Sequence, residues 1–153
     1  MRRMREVYEL IFGYSKKHND LTYREQFVLG VFADKSVAFS AINLYLNLPG
    51  FQNFSVNDFR IKTFILDWGS PCLNQADFSC EDVFVLGYGY SVDNAYDVGG
   101  SLGIFSSLER ANAMLELYKT WDIFIFHSQP AIGGEFYIDK YKINELHWKE
   151  GFV

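Results

Sequence analysis

Val7–Ser15 reads VYELIFGYS, and Val83–Ser91 reads VFVLGYGYS. Aligned at an offset of 76, they share Val7/Val83, Leu10/Leu86, Gly13/Gly89, Tyr14/Tyr90 and Ser15/Ser91. Leu29–Phe51 and Leu102–Phe124 then match at an offset of 73, through Leu-Gly, Phe32/Phe105, Ala38/Ala111, Leu44/Leu117 and Tyr45/Tyr118. Phe59–Leu66 (FRIKTFIL) matches Phe136–Ile143 (FYIDKYKI) at an offset of 77. Three blocks in the same order, with offsets that shift only where loops fall, mark an internal duplication.

Each copy reads as strand, strand, helix, strand. In the first, Glu6–Ser15 and Arg24–Phe32 are rich in β-branched and aromatic residues, with the polar Lys16–Asp20 as a hairpin loop between them. Val37, Ala41, Leu44, Tyr45 and Leu48 recur at helical spacing across Lys35–Leu48; Asp34 is placed as the N-cap, and Pro49-Gly50 ends the helix. Phe59–Asp67 follows as a strand. In the second copy Ser106 and Glu109 form a capping-box pattern, and Met114, Leu117, Tyr118 and Trp121 fall on one helical face. A lone unit of this size is marginally stable, because its core is too small. The expectation is therefore one compact α+β domain with approximate twofold symmetry. It is built from repeat 1 (5–68) and repeat 2 (81–153) across a linker (69–80), with six main strands, antiparallel or mixed, and two helices. Edge-to-edge joining and face-to-face stacking of the two sheets both remain open.

Composition narrows the class. A chain of 153 residues buries about 70% of the surface that its unfolded form exposes, so a core needs neither disulfides nor metals. Aromatics reach 18%; they favour strands and also anchor interfaces. The apolar run after the basic start MRRMR is short and broken by Glu6 and Glu9, unlike a signal peptide. No run is long enough for a transmembrane helix, so neither a membrane role nor a location outside the cytoplasm is expected. Cys72 and Cys80 lack companions at metal spacing and read as reduced thiols. Residues 1–76 hold nine Lys/Arg and seven Asp/Glu, whereas 77–153 hold five and twelve, which splits the net −5 into +2 and −7. An asymmetry of that kind speaks to partners.

A resemblance follows from LGIFSSLERANAMLE (102–116) and YIDKYKINELHWKEGFV (137–153). These stretches resemble a group of small bacterial proteins of unestablished activity, in which a Gly-Ile-Tyr-Ser-Ser helix start precedes a closing Tyr-Glu-Leu-x-x-x-His-Trp-x-Glu-Gly-Phe. The matching positions are Gly103, Ile104, Phe105, Ser106, Ser107, Ala111, Tyr141, Ile143, His147, Trp148, Glu150, Gly151 and Phe152. Repeat 1 carries the group's other half, Leu48-Pro49-Gly50-Phe51 and Phe59-x-Ile61. Members are usually one unit, so this chain resembles a tandem fusion of two. Repeat 2 has Trp121–Gly134 in place of the Pro-Gly-Phe turn, and repeat 1 ends at Asp67-Trp68-Gly69 without the closing stretch. By analogy of size and charge, the resemblance implies an immunity protein of a toxin system.

Among candidate sites, His147-Trp148 is the sharpest. The reading favoured is a clamp in which Trp148 and Phe152 pack on the sheet and His147 bonds locally; the alternative is ligand contact by His147. His18 and His127 stand alone and read as structural or solvated. Gly87, Gly89, Gly99, Gly100 and Gly103 match no phosphate-binding fingerprint and read as bulge and turn residues. Asp93, Asp97, Glu135 and Asp139, with Glu81 and Asp82 nearby, lack calcium-loop spacing and fit an acidic face for a basic protein. Arg2, Arg3 and Arg5 are too few for a nucleic-acid stripe on an acidic chain. No catalytic residue, metal site or cofactor is nominated. The expectation is a non-catalytic cytoplasmic protein that neutralises a basic partner, such as a toxin nuclease domain, by covering its active site. The alternative is a regulatory or adaptor module binding a small ligand or protein where the repeats meet. A homodimer stays open.

Overall fold

A computed structural model describes residues 4–18, 20–69, 81–92, 96–130 and 132–152. Its elements run β1 (Glu6–His18), β2 (Leu21–Phe32), α1 (Lys35–Leu46) and β3 (Phe59–Ile65), then β4 (Asp82–Val92), β5 (Tyr96–Phe105), α2 (Leu108–Tyr118), α3 (Asp122–His127) and β6 (Glu135–Lys142). Short 3-10 turns, Phe51–Asn53 and Val56–Asp58, precede β3. The strands form two three-stranded antiparallel sheets, ordered β2-β1-β3 and β5-β4-β6. The duplicated strand, strand, helix, strand order is thus present, in an α+β fold with six strands and two main helices. Residues 70–80 of the linker, with Cys72 and Cys80, lie outside the described residues.

The duplicated Leu-Gly dipeptides have one shared physical cause. In the β1–β2 pair, Leu10 faces Gly30 and Ile11 faces Val28, which leaves Leu29 as the extra residue of a bulge. In the β4–β5 pair, Leu86 faces Gly103 and Gly87 faces Ser101, which leaves Leu102 extra. A Cβ on Gly30 would lie 3.0 Å from the ring of Phe32, and one on Gly103 would lie 3.0 Å from the ring of Phe105. Each glycine lets the aromatic two residues on fold back over the bulge. The repeated Leu-Gly-x-Phe is therefore a packing unit.

Several local expectations shift. β1 continues through His18 and β2 starts at Leu21, with Asp20 at φ 66°, because polar side chains do not stop a ladder from pairing. The buried face of α1 is Ala38, Ala41, Ile42 and Tyr45, while Val37 and Leu44 are exposed. Small alanines allow the helix close to the sheet, so size as well as apolarity sets the stripe. On α2 the buried residues are Arg110, Ala111 and Met114; Leu117 and Trp121 are exposed. Asp34 stands at the N-cap of α1 but makes no side-chain cap bond. Ser107, and not Ser106, caps α2 by accepting from the Arg110 N–H at 3.2 Å, since the Ser106 hydroxyl is engaged by Asp67. Within the stretch that stands in place of the Pro-Gly-Phe turn, Asp122–His127 form the additional helix α3.

The chain makes two compact units whose borders cut across the repeats. The first unit is Glu6–Phe64 with Tyr141–Val153, and the second is Met1–Arg5 with Ile65–Lys140. The arm that follows β3 thus belongs with the second repeat, and the arm that follows β6 belongs with the first.

Candidate functional site

Four equivalent aromatic positions organise each unit. In the first, Phe12, Tyr45, Phe51 and Phe59 interlock, with Phe12–Phe51 centroids 5.1 Å apart, Tyr45–Phe51 5.0 Å and Phe12–Phe59 5.2 Å. In the second, Tyr88, Tyr118, Phe124 and Phe136 do the same, with Tyr88–Phe124 at 4.8 Å, Tyr118–Phe124 at 5.4 Å and Tyr88–Phe136 at 4.6 Å. Tilted and edge-on contacts of this kind add to the area they bury. Burial raises the hydroxyl pKa of both helix tyrosines, and that of Tyr45 to about 12. Around Tyr45 the hydrogen bonds from the Trp148 and His147 backbone pull the other way.

The first unit is closed by its arm. Phe152 reaches Phe12 at 5.4 Å and Phe51 at 5.6 Å, and Trp148 meets Phe27 edge-on at 5.3 Å. The His147 N–H donates to the Leu29 carbonyl at 2.8 Å, and the Trp148 N–H donates to Tyr45 Oη at 3.2 Å. Tyr45 donates in turn to the Leu29 carbonyl at 2.5 Å. His147 is exposed, with its ring 4.5 Å from that of Tyr141. Trp148 and Phe152 pack on the core but stay half-buried, less covered than a clamp of fully buried rings.

The second unit is closed by α3. His127 stacks on Tyr90 at 4.4 Å, and Ser128 Oγ bonds Tyr88 Oη at 2.8 Å. A Cβ on Gly134 would fall 2.0 Å from that Tyr88 hydroxyl, so glycine lets the chain pass there. These contacts turn Phe124 and His127 inward. A six-residue helix whose run is Asp-Ile-Phe-Ile-Phe-His cannot bury both sides. Ile123, Ile125 and Phe126 are 59%, 54% and 57% exposed, and Trp121 beside them is 46% exposed. A groove of about 590 Å³ opens next to this surface, lined by Leu115, Lys119, Phe124, Ile125, Glu135 and Phe136.

Along β6, Phe136 and Ile138 pack on the core, so Glu135, Tyr137 and Asp139 lie on the opposite face and are exposed. Glu135 also lines the groove; the Lys119 ammonium there pairs with Glu116 at 3.0 Å. Two members of the expected acidic face are thus brought into one row. Asp93 and the side chain of Asp97 lie outside the described residues. Asp82 pairs with Lys140 at 3.5 Å. Gly87 and Gly99 are explained by close approach: a Cβ would meet the Tyr137 ring at 2.1 Å and the Tyr88 carbonyl at 2.2 Å. The side chain of His18 lies outside the described residues, and His127 is a packing residue. Among the described residues, no three His, Cys, Asp or Glu side chains converge to hold a metal, and no helix is long and apolar enough to cross a membrane.

Two residues escaped the sequence reading. Asp67 and Asn144, equivalent at offset 77, both adopt left-handed backbone at φ 62° and 64°. The Asp67 N–H donates to the Ile104 carbonyl at 2.9 Å, and Asp67 Oδ1 accepts from the Ser106 N–H at 2.7 Å. The Asn144 N–H donates to the Val31 carbonyl at 2.9 Å, and Asn144 Oδ1 accepts from the Ala33 N–H at 2.9 Å. Val31 and Ala33 are the equivalents of Ile104 and Ser106. Each arm is latched to a strand-to-helix junction by the same pair of bonds. An Asx residue directly after a strand pattern was the available signal, since Asp and Asn tolerate left-handed backbone. No protein family, curated protein or solved structure matches the chain.

Proposed function

We propose that this chain is a non-catalytic binding protein that neutralises a basic protein partner by covering its active surface, as an immunity protein does for a toxin. The observation that carries this reading is the exposed apolar surface of α3, with the exposed Glu135 lining the groove beside it. Exposed aromatic and aliphatic side chains grouped in this way, rimmed by charge, mark interaction sites. The charge falls on the same unit: the segments 1–5 and 65–140 hold six Lys/Arg and eleven Asp/Glu, whereas the other unit holds eight of each. Carboxylates at the rim speed encounter with a cationic surface, and the desolvated α3 side chains slow release.

The test is affinity capture from the native host, followed by association kinetics with the captured protein at two salt concentrations. A basic partner whose association slows as salt rises is expected. Glu135→Lys with Asp139→Lys should lower the on-rate, and Ile123→Asp with Phe126→Asp should raise the off-rate. Because those α3 side chains are exposed, the latter pair should change stability by no more than about 0.5 kcal/mol per site. Capture of the same partner, with the same kinetics, by all variants would end this reading.

A further inference from the structure

Each repeat carries one part that the other lacks. Repeat 1 keeps the turn Pro49-Gly50-Phe51 but lacks the closing His-Trp-x-Glu-Gly-Phe; repeat 2 keeps that stretch as His147–Phe152 but has α3 in place of the turn. The two retained parts are the ones that meet. The Phe152 N–H donates to the Pro49 carbonyl at 2.8 Å. A Cβ on Gly50, at φ 83°, would fall 1.5 Å from the Phe152 carbonyl oxygen, and one on Gly151, at φ 97°, would fall 2.4 Å from the Pro49 carbonyl oxygen. Two glycines thus allow two backbones to lie against each other. The arm is otherwise held by the Asn144 latch and by the His147 and Trp148 N–H groups, with Trp148 and Phe152 as anchors.

We propose that this dock, made by the Val31–Ala33 junction, Tyr45 and Pro49-Gly50, is a recognition site for the arm Tyr141–Phe152 that a second copy of this chain can fill. The product is an arm-exchanged dimer. Two observations support delivery from another molecule. The backbone N–H groups of Asn144, His147, Trp148 and Phe152 bond to Val31, Leu29, Tyr45 and Pro49 of the first unit, while the strand that leads into the arm belongs, up to Lys140, to the second. The second unit, moreover, accepts its own arm, Ile65–Gly69, through the same latch without any closing stretch, so the junction recognises an arm by a short local pattern. Exchange of an identical element between copies makes no new kind of contact, and the monomer's advantage is the high effective concentration of its own arm. Exchange should therefore be set by concentration while chains fold. This inference stands apart from the α3 surface.

The experiment uses two full-length copies with different tags, both co-expressed and refolded together at two concentrations. A dimer retaining both tags is expected. While monomer dominates, its ratio to monomer should rise about tenfold for a tenfold rise in chain concentration. An excess of the peptide spanning Tyr141–Phe152, added during refolding, should suppress it, and Phe126→Asp should leave it unchanged. Absence of the two-tag species in both preparations, or a two-tag species indifferent to the peptide, would overturn the proposal.

Discussion

The two units build their cores on the same four aromatic positions and cover them differently. In the first, the cover is an arm whose Trp148 and Phe152 extend the aromatic cluster over β1 and β2. In the second, the cover is α3, which pins itself with His127 and Ser128 and leaves Ile123, Ile125 and Phe126 outside. Duplication kept the aromatic quartet of each core and released what covers it. The acidic unit with the apolar outer helix is the one whose surface has moved furthest from a purely structural need.

The largest expected difference lies inside the shared quartet. Phe51 is fully buried, whereas its equivalent Phe124 is half-buried because it lines the groove. Phe51→Ala should cost about 3–5 kcal/mol, as other buried aromatics do. Phe124→Ala should cost about 1.5–3 kcal/mol, in line with its smaller apolar burial. Urea unfolding of both variants decides the matter, and equal costs would mean that the two covers are equivalent.

Next come the two latches. Asp67 Oδ2 accepts the Ser106 hydroxyl at 2.6 Å and lies 3.7 Å from Arg110 Nη1, with both ion-pair side chains at most 10% exposed. Asn144 has no carboxylate and sits in an exposed position. Asp67→Ala removes both bonds to Ser106 and a buried ion pair with Arg110, and should cost about 2–4 kcal/mol. Asn144→Ala should cost about 1 kcal/mol. Thermal melts of the two variants test the order; a larger loss at Asn144 would show that the exposed latch is the stronger.

A further effect, confined to alkali, belongs to the first unit. The Tyr45 hydroxyl is held at about 12 in the fold, mainly by burial, against 10.0 when unburied. Between those values the unfolded chain has lost this proton and the folded chain keeps it. Stability is therefore full below pH 10 and falls as pH rises toward 12, by on the order of 2–3 kcal/mol. Tyr45→Phe should flatten that fall in denaturation followed from pH 9 to 12. A profile identical to wild type would remove Tyr45 as its cause.

Much of the fold was legible because it is carried by repetition. Leu-Gly-x-Phe occurs twice, and the strand, strand, helix, strand order follows from matched blocks whose side chains answer to local sterics and to one adjacent core. Of the candidate sites, Trp148 and Phe152 pack on the core as half-buried rings, and Glu135 and Asp139 are exposed on β6. The buried stripe of α1 did not emerge from apolar spacing, because Ala38 and Ala41 are chosen by how near the sheet lies. Nor did the exposure of Ile123, Ile125 and Phe126, since an apolar run as short as α3 reads the same buried or exposed until Phe124 and His127 are pinned. By itself, then, the sequence determined a duplicated α+β chain with an uneven charge and a matched set of core aromatics. Only the tertiary structure decided which repeat each arm completes and which apolar residues stay outside. Those outcomes depend on contacts between residues as far apart as Ala33 and Asn144, and no local pattern encodes such a contact.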